Sequence, residues 1–161
     1  MTYEFYPMTQ QQAEEITHHW HYDGKYCFYD MESDQEDLEE FLDPKQRGEN
    51  YYVVTSEKAL VGFFSYHPVD PETIDIGLGI KPSLTGEGRG REFVEAGLNF
   101  AKKSFNPSQI TLSVATFNQR AIKVYEKAGF VRGETFMQNT NGSSYEFLKM
   151  NYKPERKSVN E

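Results

Sequence analysis

Cysteine is almost missing from this chain. Cys27 stands alone among 161 residues, so no internal disulfide can staple the fold, and a lone thiol suits a reducing compartment. Its aromatic sequence neighbours point to a partly buried small residue rather than a nucleophile. Long apolar runs are missing as well, and no basic-then-apolar leader opens the sequence. The expectation is a cytoplasmic protein without a membrane partner. Positive charge is scarce: 17 Lys and Arg against 25 Asp and Glu leave a net charge of −8. That balance argues against a nucleic-acid binder and mildly favours a cationic substrate. Hydrophobic residues reach only 37%, but aromatics make up 15%, so the core is expected to rest on Phe and Tyr. The length suits one domain, here expected over 1–152, with a disordered polar tail over 153–161.

Glycine, by contrast, is concentrated where it matters. Ile74-Asp75-Ile76-Gly77-Leu78-Gly79-Ile80 alternates large apolar residues with small or acidic ones, the pattern of a half-buried strand. Pro82 ends it, having no N–H for a ladder. Then comes Thr85-Gly86-Glu87-Gly88-Arg89-Gly90, followed by Phe93, Ala96, Gly97, Phe100 and Ala101 at helical spacing. A glycine-rich turn opening a helix exposes backbone N–H groups at the positive end of the helix dipole, a cradle for phosphate. A P-loop would need Lys followed by Ser or Thr after the last glycine, where Arg91-Glu92 stand. A dinucleotide fingerprint would need glycine at position 91 and an acid after the next strand, Ile110 to Val114, which leads instead into Ala115-Thr116.

A second pattern lies downstream. Asn118-Gln119-Arg120-Ala121-Ile122-Lys123-Val124-Tyr125-Glu126-Lys127-Ala128-Gly129-Phe130 reads as a short helix capped by Asn118 and stopped by Gly129. Asn118 and Tyr125, seven residues apart, fall on one helix face. Together the two segments resemble the hallmarks of the GNAT acetyltransferase superfamily: Gln/Arg-x-x-Gly-x-Gly/Ala, here begun by Thr85, and Asn-x-x-Ala-x-x-x-Tyr-x-x-x-Gly-Phe. The likeness covers roughly Val53 to Met150 and is similar to that of bacterial ribosomal-protein-alanine acetyltransferases. It implies an α/β fold: a mixed, mostly antiparallel central sheet, with a splayed parallel pair (the fourth and fifth strands), flanked by helices.

The remaining elements fit that plan. Met1 to Tyr6 reads as an edge strand, and Thr9 to Ile16 as a capped helix with acids in its first turns. Trp20 to Tyr29 is an aromatic loop of neither period, and Asp30 to Glu40 packs seven acids into eleven residues, a short helix with a solvated face. Tyr51 to Thr55 and Leu60 to Tyr66 form a hairpin, extended by Thr73 to Ile80. Ile110 to Val114 should run parallel to its neighbour, because a helix makes the crossover. Phe130 to Gln138 and Ser143 to Asn151 close the sheet around Asn141-Gly142. His18 and His21 sit one helical turn apart, but no carboxylate or cysteine completes a metal set, so no metal is expected.

The resemblance also implies a chemistry. Acetyl-CoA would be the co-substrate, its pantetheine arm entering between the fourth and fifth strands against Leu78, Gly79 and Ile80. Thr85, Gly86, Glu87, Gly88, Arg89, Gly90 and Arg91 would hold the pyrophosphate, and Asn118 would contact the pantetheine. Arg89, Arg91, Arg120 and Lys123 are candidates for the remaining phosphate. Tyr125 takes the family position of the general acid, protonating the leaving thiolate. The amine needs a base. The ribosomal-protein enzymes carry a glutamate five residues before the motif asparagine, where this chain has Ser113. Asp75 is the first candidate; Glu72, Glu134, Glu146 or a water chain are alternatives. Trp20, Tyr22, Tyr26 and Tyr29 line an amine pocket or cap the sheet. The implied activity is N-acetylation of a primary amine by a monomer or homodimer. The acceptor is a small molecule (polyamine, aminoglycoside or amino acid) or a protein N-terminus or lysine. The alternative is a non-catalytic acyl-CoA-sensing domain on the same fold.

Overall fold

The computed structural model describes residues 2–85 and 88–154. Seven strands among them form one mixed sheet in the order β1-β2-β3-β4-β5-β7-β6. β1 (Glu4–Pro7), β2 (Tyr51–Ser56), β3 (Ala59–Asp70) and β4 (Thr73–Ile80) pair antiparallel in sequence. β5 (Gln109–Ala115) lies parallel to β4, and β6 (Val131–Thr140) with β7 (Ser143–Tyr152) adds a closing hairpin. The parallel pair follows from the connection, since α4 (Gly90–Phe105) returns the chain across one face before β5 begins.

Strand alternation sends Phe64 and Phe63 to opposite faces, and each face has its own core. Beneath α4 and α5 (Gln119–Ala128), Phe64, Tyr66, Ile74, Ile76, Ile110 and Leu112 pack with Phe93, Val94, Leu98 and Ile122. Phe93, 1% exposed, stabilises this layer by about 2–3 kcal/mol. On the other face, α1 (Gln10–His19) and α2 (Gln35–Leu42) bury Ala13, Ile16, Trp20 and Phe41 around Phe63.

Several boundaries differ from the sequence reading, each for a local reason. Thr9 caps α1 in a reciprocal box with Gln12, so the first turn holds no acid and Glu14 and Glu15 fall in the second. The aromatic stretch is not irregular: Gly24–Tyr29 winds as a 3-10 helix. The acidic run divides into a 3-10 turn, Met31–Ser33, and α2, because Asp34 accepts from the Asp37 N–H and restarts the helix. α3 (Pro44–Arg47) follows directly, with Pro44 in its first turn. β3 runs past Tyr66 to Asp70, since a register shift between Pro68 and Asp70 accommodates the proline. Asn141 and Gly142, at φ 50° and 76°, make the tight turn that pairs Thr140 with Ser143. Cys27 is exposed rather than partly buried. The tail was expected from Lys153; residues 155–161 lie outside the described residues.

Candidate active site

β4 and β5 pair only over Thr73–Asp75 and Gln109–Thr111. β4 then runs five residues further, to Ile80, and β5 four further, to Ala115, so the two strands part. A cavity of about 640 Å³ opens along the gap and is walled from both faces of the sheet. Phe93, Val94, Ala121, Val124 and Tyr125 come from α4 and α5; Ile16, Trp20, Met31 and Phe63 come from the opposite side. Leu78, Gly79 and Ile80 of β4 form the rim between them. Gly79 is required there: a Cβ would stand 2.4 Å from the Phe63 ring, the residue paired with it across the β3–β4 ladder.

The α4 mouth is lined by Thr85, Gly88, Gly90, Arg91, Arg120 and Lys127. Gly88 has φ +76° with nothing near its missing Cβ, so it turns the backbone where an L side chain would be strained. Three positive side chains and the start of α4 make this mouth attractive to an anion. The Thr85 hydroxyl donates to the Pro82 carbonyl at 2.7 Å, closing the turn before the loop. Gly86 and Glu87 lie outside the described residues. Arg89 precedes α4 as its N-cap, and neither it nor Lys123 lines the cavity.

Asn118 and Tyr125 reach the cavity together, as their spacing predicts. The Asn118 carbonyl caps α5 by accepting from the Ala121 N–H at 3.1 Å. That fixes the direction of its amide, which donates to the Tyr29 hydroxyl at 3.1 Å. Tyr125 is half-buried. Burial pushes its phenol well above the ordinary tyrosine value, and the neighbouring Tyr29 adds to the shift. Burial raises Tyr29 too, opposed by the Asn118 hydrogen bond.

The aromatic segment covers the gap as a strap held at three points. Tyr22 donates to the Ile80 carbonyl at 2.8 Å, at the end of β4. Phe28 and Tyr29 pack on Phe117, just before α5, at ring distances of 5.4 and 6.1 Å. Asp34 accepts from the Asn141 N–H at 2.8 Å, and Asn141 donates to the Phe28 carbonyl at 2.9 Å, tying the strap to the β6–β7 turn. Trp20, Tyr22, Tyr26 and Tyr29 all line the cavity, although Trp20 also belongs to the core at 4% exposure.

Asp75 does not join them. Its carboxylate accepts from the Thr111 hydroxyl at 2.7 Å and faces Lys149 at 3.5 Å, at the last rung of the β4–β5 ladder and outside the cavity wall. Glu72, Glu134 and Glu146 are outside it as well. Glu146 accepts from Thr116 at 3.0 Å, and Glu72 from Ser108. His21 lies beyond the end of α1, where it meets Asp30 at 3.0 Å and the His18 carbonyl at 2.9 Å. Among the described residues no group of His, Cys, Asp and Glu could hold a metal ion, and no helix is long and apolar enough to cross a membrane. Phe63, Met31 and Lys127 line the cavity and were missed in the sequence. Phe63 could have been found, since aligning the β3–β4 hairpin sets it opposite Gly79; Met31 and Lys127 carry no such signal.

The model of the acetyltransferase (GNAT) domain matches residues 4–131. The chain belongs to the GNAT acetyltransferase family. No curated protein matches it closely enough to count as a relative. Solved structures share the fold. Spermidine N-acetyltransferase from Vibrio cholerae, in complex with CoA and spermine, superposes with a TM-score of 0.72 at 20% identity, over 94% of this chain and 95% of that one. A GNAT-family acetyltransferase from Bacillus anthracis gives 0.71 at 19%, over 94% of each chain. Ribosomal-protein-S5-alanine acetyltransferase from Vibrio fischeri gives 0.64 at 19%, over 94% of this chain and 92% of that one. This GNAT domain is thus an acetyltransferase by family, and at these identities the neighbours speak for its fold alone.

Proposed function

We propose that this GNAT domain transfers the acetyl group of acetyl-CoA directly to a primary amine, with Tyr125 as the proton donor to the leaving thiolate. The observation that carries this reading is the cavity along the β4–β5 gap, with Tyr125 in its wall between a cationic mouth and a ring-lined end. The phosphates of CoA are anions, and Arg91, Arg120, Lys127 and the start of α4 suit them. The unpaired edges of β4 and β5 suit the amide-rich pantetheine arm, which can take ladder hydrogen bonds as a strand would.

The raised pKa of Tyr125 keeps the phenol protonated at any working pH, so it is always in the donor form. A thiolate whose thiol titrates near 8.5 is a weak match for such an acid in water. In a site closed to water the thiolate is destabilised too, and a hydrogen bond from the phenol becomes more favourable as negative charge grows on sulfur. This pathway assigns no step to Asp75, whose carboxylate is engaged by Thr111 and Lys149.

The test is release of CoA thiol from acetyl-CoA with a panel of amines, wild type beside Tyr125→Phe. Turnover that falls about a hundredfold in the variant, with acetyl-CoA binding retained, is the expected result. Unchanged kcat removes Tyr125 from the reaction. A second reading, an acyl-CoA sensor, draws on one feature: among the described residues no carboxylate or imidazole lines the cavity to act as base. Acetyl-CoA binding without turnover on any amine would favour it.

A further inference from the structure

The acceptor end of the cavity is lined by Ile16, Trp20, Tyr22, Tyr29, Met31 and Phe63. Charge enters the wall, among the described residues, only as Arg91, Arg120 and Lys127, all of them positive. The chain is nevertheless rich in acids, and three of those near the cavity are held by other groups. Asp30 accepts from the Tyr22 N–H at 2.8 Å and pairs with His21. Asp34 accepts from Asp37 and Asn141 N–H groups and from the Thr140 hydroxyl at 3.0 Å. Asp75 is held by Thr111 and Lys149. Among the described residues, no carboxylate lines this cavity.

A polyamine carries several ammonium groups, and each one taken into an apolar wall without a carboxylate loses its hydration uncompensated. Aromatic faces can replace a carboxylate for a cation. Here, though, the Tyr26 face is already taken by the Arg120 guanidinium at 4.4 Å, with Lys25 at 5.5 Å. Those charges repel a second cation at the Tyr26 side of the cavity. The same wall favours a flat or branched apolar body, which gains from burial against rings. It also favours the uncharged amine, because desolvation lowers an amine's pKa.

We propose that the acceptor is a monoamine on an apolar or aromatic body, bound in its neutral form, and not a polyamine. This rests on the acetyltransferase reading above. The amine sheds its proton to water on entering, which removes the need for a protein base. The neutral nitrogen then attacks the thioester carbon, forming the C–N bond and a tetrahedral adduct. Collapse breaks the C–S bond, Tyr125 gives its proton to sulfur, and the proton released from nitrogen restores the phenol. Amine and acetyl-CoA become N-acetylamine and CoA thiol, with nothing left over.

The deciding experiment measures kcat/KM for 2-phenylethylamine, hexylamine, spermidine and spermine with acetyl-CoA between pH 6 and 9. The wild type is compared with Met31→Glu, which sets a carboxylate in the apolar wall at a half-buried position. For the wild type, 2-phenylethylamine should exceed spermidine by about tenfold or more, the cost of an unpaired buried charge. Log kcat/KM for 2-phenylethylamine should climb with unit slope, without levelling near pH 7 as a protein base would dictate. Met31→Glu should lower the phenylethylamine-to-spermidine ratio by roughly tenfold. Spermidine or spermine as the better wild-type substrate overturns this proposal and leaves the acetyltransferase reading intact. Acetyl-CoA binding with no turnover on any amine overturns both.

Discussion

The two ends of the cavity are built from different materials. The α4–α5 end uses backbone: a glycine at positive φ, the first turn of a helix, and three cations around them. The strap end uses rings, two of them (Tyr26 and Tyr29) on a short 3-10 helix, and among the described residues no carboxylate joins them in the wall. Backbone N–H groups and cations recognise phosphate whatever it is attached to, so one end can be generic. Rings recognise shape through close apolar packing, so the other end selects. An enzyme that keeps one donor and adapts to one acceptor would divide its site in this way. The difference between the ends can be tested by variants that strike one and spare the other.

The largest effect is expected where the ends meet. Gly79→Ala drives a Cβ into Phe63, whose ring is confined by Trp20 at 6.2 Å and Phe41 at 5.5 Å. Overpacking of this kind costs about 1–3 kcal/mol of stability. A shifted Phe63 should also lower kcat/KM for the acceptor by roughly a hundredfold. If acetyl-CoA affinity fell equally, the two ends would not be separable. Next, Gly88→Ala imposes a Cβ at φ +76° without any clash, a strain of about 1–2 kcal/mol. Acetyl-CoA should bind about tenfold more weakly while the acceptor KM stays put.

Tyr22→Phe removes the hydrogen bond to Ile80 and nothing of the ring. At about 1 kcal/mol for such a bond, the acceptor KM should rise about fivefold, with acetyl-CoA unaffected. Smallest is Asp34→Ala, which unties the strap from the β6–β7 turn and uncaps α2. Calorimetry should show a loss of about 1 kcal/mol, close to 3 °C in Tm. The backbone donors of Asn141 and Asp37 hold the Asp34 carboxyl below its ordinary value. Its contribution is therefore present above the unfolded-state pKa and fades as pH falls through the lower folded value. The gap in Tm between wild type and variant should close in acid; a gap that persists would mean the carboxylate charge is not what ties the strap.

Much of the α4–α5 end was legible in the sequence because its determinants are local. Gly88 and Gly90 must precede a helix to cradle an anion, and Asn118 and Tyr125 share a face because seven residues span about two turns. The strap was legible only as a run of aromatics. Which rings face the gap depends on Asp34 reaching Asn141 and Tyr22 reaching Ile80, contacts across more than 50 positions of chain that no spacing reveals. Asp75 shows the same limit: its strand face was predictable, but Thr111 and Lys149, which hold its carboxylate outside the wall, come from strands brought alongside by the fold.

By itself, then, the sequence determined the family, the strand order through the crossover, the glycine-rich mouth and the pairing of Asn118 with Tyr125. These follow from periodicity, capping and backbone freedom, which act over a few residues. Only the tertiary structure decided where β4 and β5 part, that Phe63 and Met31 wall the acceptor end, and that, among the described residues, no carboxylate lines the cavity. Those outcomes depend on which distant groups satisfy each buried carbonyl and carboxylate, and that is settled when the elements pack.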